Sequence, residues 1–182
     1  MSDGSVITRQ LNATDAPLIA HLHTESWRSA YRGVLLDSYL DGDLLAEREA
    51  TWAAKLGDGA GVGWLAEAGG APVGFVFVRP AGDATWGTWI DNLHVRPAVK
   101  GRGIGRRLLQ AVAAWAADVA PERGLWLWVY AQNAAARGFY GRVGGREVET
   151  VAMRSPDGRL LPECRVVWRS PEALAEGLRN GL

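Results

Sequence analysis

The sequence predicts a mixed α/β fold, a mixed sheet with helices packed on it, in one domain spanning residues 1–182. Three observations predict it. A chain of 182 residues has the length of one ordinary domain. Its residues are 48% hydrophobic and 22% charged, the balance of a chain that buries a core and does not stay disordered. The hydrophobic period also switches repeatedly between two and about 3.6, in the order β-α-α-β-β-β-α-β-α-β-β.

Residues Val6–Arg9 alternate and read as a short strand. Thr14 is expected to cap a helix that tolerates Pro17 in its first turn, with Leu18, Ile19, Leu22, Trp27 and Ala30 at helical spacing. After a loop at Tyr31–Gly33, a second helical region carries Leu44, Leu45, Arg48, Trp52 and Leu56 and ends near Gly57. Trp64–Ala68 and Val73–Val78, separated by Gly69-Gly70, form an expected antiparallel hairpin. Thr85–Val95 is a longer strand stopped by Pro97. A Gly-rich turn at Lys100–Gly105 then opens a helix with Ile104, Leu108, Val112 and Val119 on one side, ended by Pro121 and Gly124. Leu125–Tyr130 is a strand and Ala134–Val143 a short helix. Arg146–Arg154 and Leu161–Arg169 form a last hairpin around Asp157-Gly158, and Ala173–Leu178 is expected as a loosely attached terminal helix. The strand, turn, helix and strand over residues 85–130 suit a right-handed parallel crossover.

Composition excludes several functions. Lys plus Arg equals Asp plus Glu at 20 each, so no overall positive field exists to hold a nucleic acid. With one cysteine, Cys164, there is neither an intramolecular disulfide nor a Cys-rich zinc site. His21 and His23 stand two apart on a helix, the wrong spacing for a shared metal, and no metal is expected. Met1–Ser5 lacks the basic and apolar regions of a secretion signal, and no apolar run approaches a membrane span. A cytoplasmic protein without membrane partners is expected.

The segment Val95-Arg96-Pro97-Ala98-Val99-Lys100-Gly101-Arg102-Gly103-Ile104-Gly105-Arg106-Arg107 is the most informative. Glycines at 101, 103 and 105 lead directly into an amphipathic helix, so free backbone amides and the helix dipole converge on one point. That favours phosphate. Arg102, Arg106 and Arg107 add cationic donors in a first turn where a bare helix would not want them. A plain Gly-rich connection with solvated arginines is the alternative. The helix opens Gly105-Arg106-Arg107, which fails the Gly-Lys-Ser/Thr of a P-loop. A dinucleotide fold fails as well, because the next strand ends Trp128-Val129-Tyr130 without a carboxylate.

The run Val95…Lys100-Gly101-Arg102-Gly103-Ile104-Gly105 resembles the pyrophosphate loop of the GNAT N-acetyltransferases, whose usual pattern is Gln/Arg-x-x-Gly-x-Gly/Ala. A second family motif follows in the right order about thirty residues later: Asn133-Ala134-Ala135-Ala136-Arg137-Gly138-Phe139-Tyr140, then Gly144-Gly145. Ser26-Trp27-Arg28-Ser29-Ala30-Tyr31-Arg32-Gly33 is similar to the first-helix segment of small bacterial members. Lys100 stands where Gln or Arg is usual, and Gly145 replaces a common Phe, which alters packing and not chemistry.

The resemblance implies a mixed, mostly antiparallel central sheet of about six to seven strands flanked by helices, with a β-α-β core that binds acyl-CoA. It implies acetyl-CoA as cosubstrate. The amides of Lys100, Gly101, Arg102, Gly103, Ile104, Gly105 and Arg106 would hold the pyrophosphate, and the strand edge at Leu93, His94 and Val95 would pair with the pantetheine. Asn133 would contact the pantetheine arm, and Tyr140 would protonate the departing thiolate, a task that suits a neutral phenol with a reference pKa about 10. An amphipathic-helix tyrosine with a surface hydroxyl is the alternative for Tyr140.

The acceptor amine needs to be neutral to attack, so a base is useful. Alternation places Asp91, Leu93 and Val95 on one strand face and Asn92 and His94 on the other. Asp91 matches a frequent base position of the family, and a structural Asp bonded to a neighbouring loop is the equal alternative. Trp27 and Tyr31, with Trp86 or Trp89, are candidates for an aromatic acceptor wall, against ordinary core tryptophan. Arg28 and Arg32 would disfavour a cationic substrate if they faced it. Cys164 has no adjacent His and reads as a buried side chain.

The leading expectation is acetyl transfer to a primary amine of a small molecule, by direct attack in a ternary complex with the Val95 amide polarising the thioester. A protein N-terminal or lysine acetyltransferase, and a silent acyl-CoA sensor, are the alternatives. Many relatives are dimers, which leaves a homodimer open.

Overall fold

In the computed structural model, residues 6–181 are described; Met1–Ser5, read above for a targeting signal, lie outside them. The chain builds β1 (Val6–Gln10), α1 (Ala16–Ala30), α2 (Asp37–Leu40), α3 (Leu44–Gly57), β2 (Val62–Ala68), β3 (Ala71–Asp83) and β4 (Gly87–Val95). It continues with α4 (Ile104–Val119), β5 (Leu125–Tyr130), α5 (Ala134–Arg142), β6 (Arg146–Arg154), β7 (Leu160–Trp168) and α6 (Pro171–Asn180). The strands form one seven-stranded sheet in the order β1-β2-β3-β4-β5-β7-β6. Every neighbouring pair is antiparallel except β4 and β5. Those two run parallel, as the crossover through α4 requires.

The two faces of β3 sort the helices. Phe75 and Phe77 are fully buried with Ile19 and Leu22 of α1 and Trp52 of α3. Val76 and Val78 point the other way, into a core with Ile104, Leu108 and Val112 of α4. The apolar stripe of α4 thus covers the sheet on one side, while α1 and α3 pack on β3 from the other and reach Tyr130 of β5 and Leu161 of β7 through Trp27 and Leu44.

Several local expectations are corrected. The entrance to α1 is capped by Asn12, whose Oδ1 accepts from the Thr14 amide at 2.9 Å while Asp15 Oδ2 accepts from the Asn12 amide at 2.9 Å. Thr14 therefore lies inside a single 3-10 turn and not at its cap. The strand expected from Thr85 starts at Gly87, because Asp83 Oδ1 takes the amides of Thr85 and Trp86 and folds them into a turn. β3 runs past Val78 and through Pro80, where its ladder with β4 is interrupted between Arg79 and Asp83.

The terminal helix is not loosely attached. Ser170 Oγ caps α6 by accepting from the Ala173 amide at 3.1 Å. Leu174 and Leu178 are buried in the α4 core. Arg106 of α4 donates to the carbonyl of Leu178 and, at 3.3 Å, to that of Gly181, where the negative end of the helix dipole favours a cation. Leu174→Ala should accordingly lower folding stability by about 3 kcal/mol, the usual cost of a truncated core leucine. Denaturant unfolding checks this, and an unchanged midpoint would mean that α6 is dispensable.

Candidate active site

β4 and β5 pair at two positions only, Thr88 with Leu125 and Trp89 with Trp126. Beyond these the edge of β4 carries no β5 ladder, and a cavity of about 750 Å³ occupies the gap. Asp91–Val95 line it from one strand and Leu127–Tyr130 from the other. Its volume lies within the usual range for small-ligand sites, roughly 300–1,000 Å³.

One end of the cavity is built for an anion. The amides of Gly101, Arg102, Gly103, Ile104, Gly105 and Arg106 donate to no acceptor among the described residues, and α4 has no side-chain cap. Six consecutive free donors thus meet at the positive end of a four-turn helix. Gly103 at the N-cap has φ +77° and Gly101 φ +80°, a backbone that only glycine adopts without strain. Space around both is open, so conformation and not crowding selects glycine there. Lys100 and Arg142 also line this end. The expected arginine cluster is smaller than the sequence implied: Arg106 is turned to the end of α6, and Arg107 lies 3.5 Å from the Val6 carbonyl.

Tyr140 of α5 lines the middle of the cavity. Its ring is buried against Phe139 and Trp168, and its hydroxyl has no partner among the described residues. Burial first, and then the neighbouring Tyr31, hold the phenol well above its ordinary pKa, so it keeps its proton at neutral pH. The position is enforced from behind. A side chain at Gly145 would meet Val166 at 2.6 Å and Trp168 at 2.8 Å, which explains why the common Phe is missing. Asn133 lines the cavity and caps α5, its Oδ1 accepting from the Ala136 amide at 3.1 Å.

The strand β4 does not alternate simply. Its register with β3 shifts between Phe77 and Val78, where Asn92 faces Phe77 and Ile90 faces Val78, leaving Asp91 as the extra residue of a β-bulge. The bulge turns Asp91 to the α3 side, away from the face of Leu93 and Val95 where alternation placed it. There Lys55 Nζ donates to Asp91 Oδ2 at 2.6 Å, and Arg79 Nε lies 3.5 Å away. Lys55 is itself over the rings of Trp52 and Phe77. Asp91 thus has the contacts of an ion-pair centre, the structural alternative of the sequence reading.

His94 shares that side. Its Nδ1 lies 3.0 Å from Ser26 Oγ, and its ring is 4.5 Å from that of His23. Burial, with Lys100, Lys55 and Arg48 adding like charge, pushes His94 down to about 3. It is neutral throughout the physiological range and a poor base. His23 accepts from Trp52 Nε1 at 3.0 Å and is held well below its usual value by burial and the same cationic surroundings.

The other end of the cavity is aromatic. Trp27 of α1 and Tyr31 at its C-terminal cap line it with Trp89, Trp128, Tyr130, Met153 and Glu163. Tyr31 packs edge-on against Tyr130 at 5.0 Å and Trp27 against Tyr31 at 5.4 Å. Trp86 is not part of this wall; it packs under Arg165. Arg28 and Arg32 also turn away. Arg28 donates to the Leu40 carbonyl at 2.8 Å, and Arg32 pairs with Asp37 and Asp41. The turn of the β6–β7 hairpin is tied to the loop after α1, with Asp157 Oδ2 accepting from the Leu36 amide at 2.8 Å and Arg159 donating to the Val34 carbonyl at 2.5 Å. Cys164 is buried beside Thr150 and is no part of the cavity wall.

Residues 19–145 match the acetyltransferase (GNAT) family. The chain belongs to that family. It is 31% identical over 142 residues to a probable N-acetyltransferase of Mycobacterium tuberculosis, which covers 77% of this chain and 79% of the relative. Its fold is similar to the PaiA N-acetyltransferase of Thermoplasma acidophilum solved with coenzyme A, with TM-score 0.67, 18% identity and coverage of 87% and 98%. It is also similar to Arabidopsis thaliana NAA60 solved with acetyl-CoA, with TM-score 0.68, 19% identity and coverage of 90% and 98%. In this GNAT chain the seven-stranded sheet agrees with the expected number of strands.

Glu163 is among the cavity residues that sequence reasoning missed, with Trp128, Tyr130, Arg142 and Met153. The available signal was the alternation of Leu161, Glu163, Arg165 and Val167, which sets Glu163 on the face opposite Cys164 and Trp168. Asp91→Asn should cost about 2 kcal/mol, between the values for exposed and buried pairs. Adding Lys55→Met should recover part of that loss in thermal unfolding. An unshifted midpoint in the single variant would reject the ion-pair role.

Proposed function

We propose that the protein is an acetyl-CoA-dependent N-acetyltransferase whose acceptor is a primary amine of a small molecule. The observation that carries this reading is the row of six free amides at one end of a cavity that passes Tyr140. The residues fit the cosubstrate along its length. Amides Gly101–Arg106, with Lys100 beside them, would take the pyrophosphate. The edge of β4 that β5 leaves unpaired, at Leu93–Val95, offers the pantetheine amides a strand to pair with, and Asn133 lies across the gap.

Acetyl-CoA supplies an activated acyl group, and the chain then has to orient two reactants and move one proton. A neutral amine nitrogen attacks the thioester carbon, so a C–N bond forms and the C–S bond breaks. Tyr140 gives its phenolic proton to the departing sulfur, and the proton shed by nitrogen returns to Tyr140 through water. A phenol kept protonated by burial is suited to that step. The Val95 amide is the proposed donor to the carbonyl oxygen. Direct attack needs no acyl-enzyme, in keeping with the buried Cys164.

The test mixes purified protein with acetyl-CoA and a panel of amino acids, polyamines, aminoglycosides and short peptides, and follows free thiol. One class should turn over. Tyr140→Phe should lower kcat by roughly a hundredfold, the usual worth of a positioned acid, with acetyl-CoA affinity unchanged. Absence of acetyl-CoA binding by the wild-type protein would reject the proposal outright.

A further inference from the structure

We propose that Glu163 on β7 anchors the ammonium group of the acceptor, and that the acceptor is a compact cationic amine with an apolar body and no carboxylate beside its nitrogen. This rests on the acetyltransferase reading and names the substrate class of the same site; the ammonium is the form that binds, and it gives one proton to water before the neutral nitrogen attacks.

Glu163 is distinguished by lacking a partner. The acidic groups around it are all taken: Asp91 by Lys55 and Arg79, Glu149 by Arg165, Glu147 by Arg137, and Asp157 by Arg159. Among the described residues Glu163 has neither a salt bridge nor a hydrogen bond to its side chain, although it is half-buried in the cavity wall. A carboxylate left in that position calls for a cation from outside the chain. The next residue on its strand face, Arg165, does not turn back to it. Its guanidinium lies 4.2 Å from the Trp128 ring and pairs with Glu149 at 2.5 Å.

The surroundings match an ammonium on an apolar body. Glu163 stands opposite Tyr130 in the β5–β7 ladder, and Tyr130 meets Tyr31 edge-on. Their rings offer π faces that attract a cation and surface that buries an apolar body. The charge of Glu163 raises the phenol pKa of both tyrosines, and Tyr31 in turn raises that of Tyr140. Tyr31 and Tyr140 line the same cavity as Glu163, so an amine held by Glu163 shares one continuous space with Tyr140. Burial lifts the Glu163 carboxyl above its ordinary pKa, an unfavourable state that a bound ammonium relieves. A substrate carboxylate next to the amine would instead meet like charge: Arg28 and Arg32 are committed elsewhere, and Arg48, over the Trp27 ring and paired with Glu47, is not among the residues lining the cavity.

Trp27, Trp89 and Trp128 line the cavity and make intrinsic fluorescence a direct readout of binding. The experiment titrates 2-phenylethylamine, 2-phenylethanol and phenylalanine into wild-type protein and Glu163→Gln, each saturated with coenzyme A, with acetyl-CoA affinity measured on separate aliquots of both proteins before coenzyme A is added. The wild type should bind the amine at least about tenfold more tightly than the alcohol or the amino acid, the scale of one charge-assisted contact. Glu163→Gln should bring the amine to the level of the alcohol while leaving the alcohol and acetyl-CoA unaffected. Equal amine affinity in the two proteins, or no preference for amine over alcohol in the wild type, overturns the proposal. Retained acetyl-CoA affinity assigns such a failure to Glu163, and its loss assigns it to the acetyltransferase reading.

Discussion

The parting of β4 and β5 after two paired positions is the constraint on which the rest of this molecule depends. A parallel ladder continued to the strand ends would fill the sheet and leave no cavity. Two features hold the strands apart. The bulge at Asp91 bends β4 just past its last contact with β5, and the ion pairs from Lys55 and Arg79 pin that bend to α3 and β3. On the far side β5 is committed over its whole length to β7, from Leu125 opposite Trp168 to Tyr130 opposite Glu163. The gap is thus bounded by two well-paired half-sheets and needs no mobile part to stay open.

Much of this architecture was legible, because local pattern and final environment agree. The α4 region is the clearest case. Strand, glycine-rich turn and amphipathic helix each carry their own signal, and the free amides at Gly101–Arg106 follow from how any helix begins. β5 was bounded correctly for a similar reason, being a short apolar run between Gly124 and the Asn133 cap. What sequence pattern could not show were choices between nearly equal local options that tertiary contacts decide. Asn12 and Thr14 are both good caps, and the partner Asp15 selects Asn12. Strict alternation along β4 cannot anticipate one extra residue, so it placed Asp91 on the wrong side. The arginines of α4 read as phosphate ligands because neither β1 nor the end of α6 was in view to claim them.

The site shows the same division. Tyr140 and Asn133 belong to one short helix, and their spacing sets both on the cavity wall. Glu163 depends on the pairing of β7 with β5, a contact across more than thirty residues of chain that a single strand's pattern does not encode. Its lack of a partner is a property of the folded protein alone.

These features give the cavity an electrical direction. At the α4 end, free amides, the helix dipole, Lys100 and Arg142 all favour negative charge. At the α1 end stand aromatic rings and one unpartnered carboxylate, with Arg28 and Arg32 tied to the α2 segment. Between them Tyr140 keeps its proton, His94 does not gain one, and Asp91 is paired with Lys55 and Arg79. In the proposed reaction, an anionic and a cationic substrate entering such a channel would be sorted to opposite ends, with their reactive groups facing each other near Tyr140. That arrangement would orient the two reactants where the proposed proton transfer from phenol to sulfur meets no unpaired charge among the described residues.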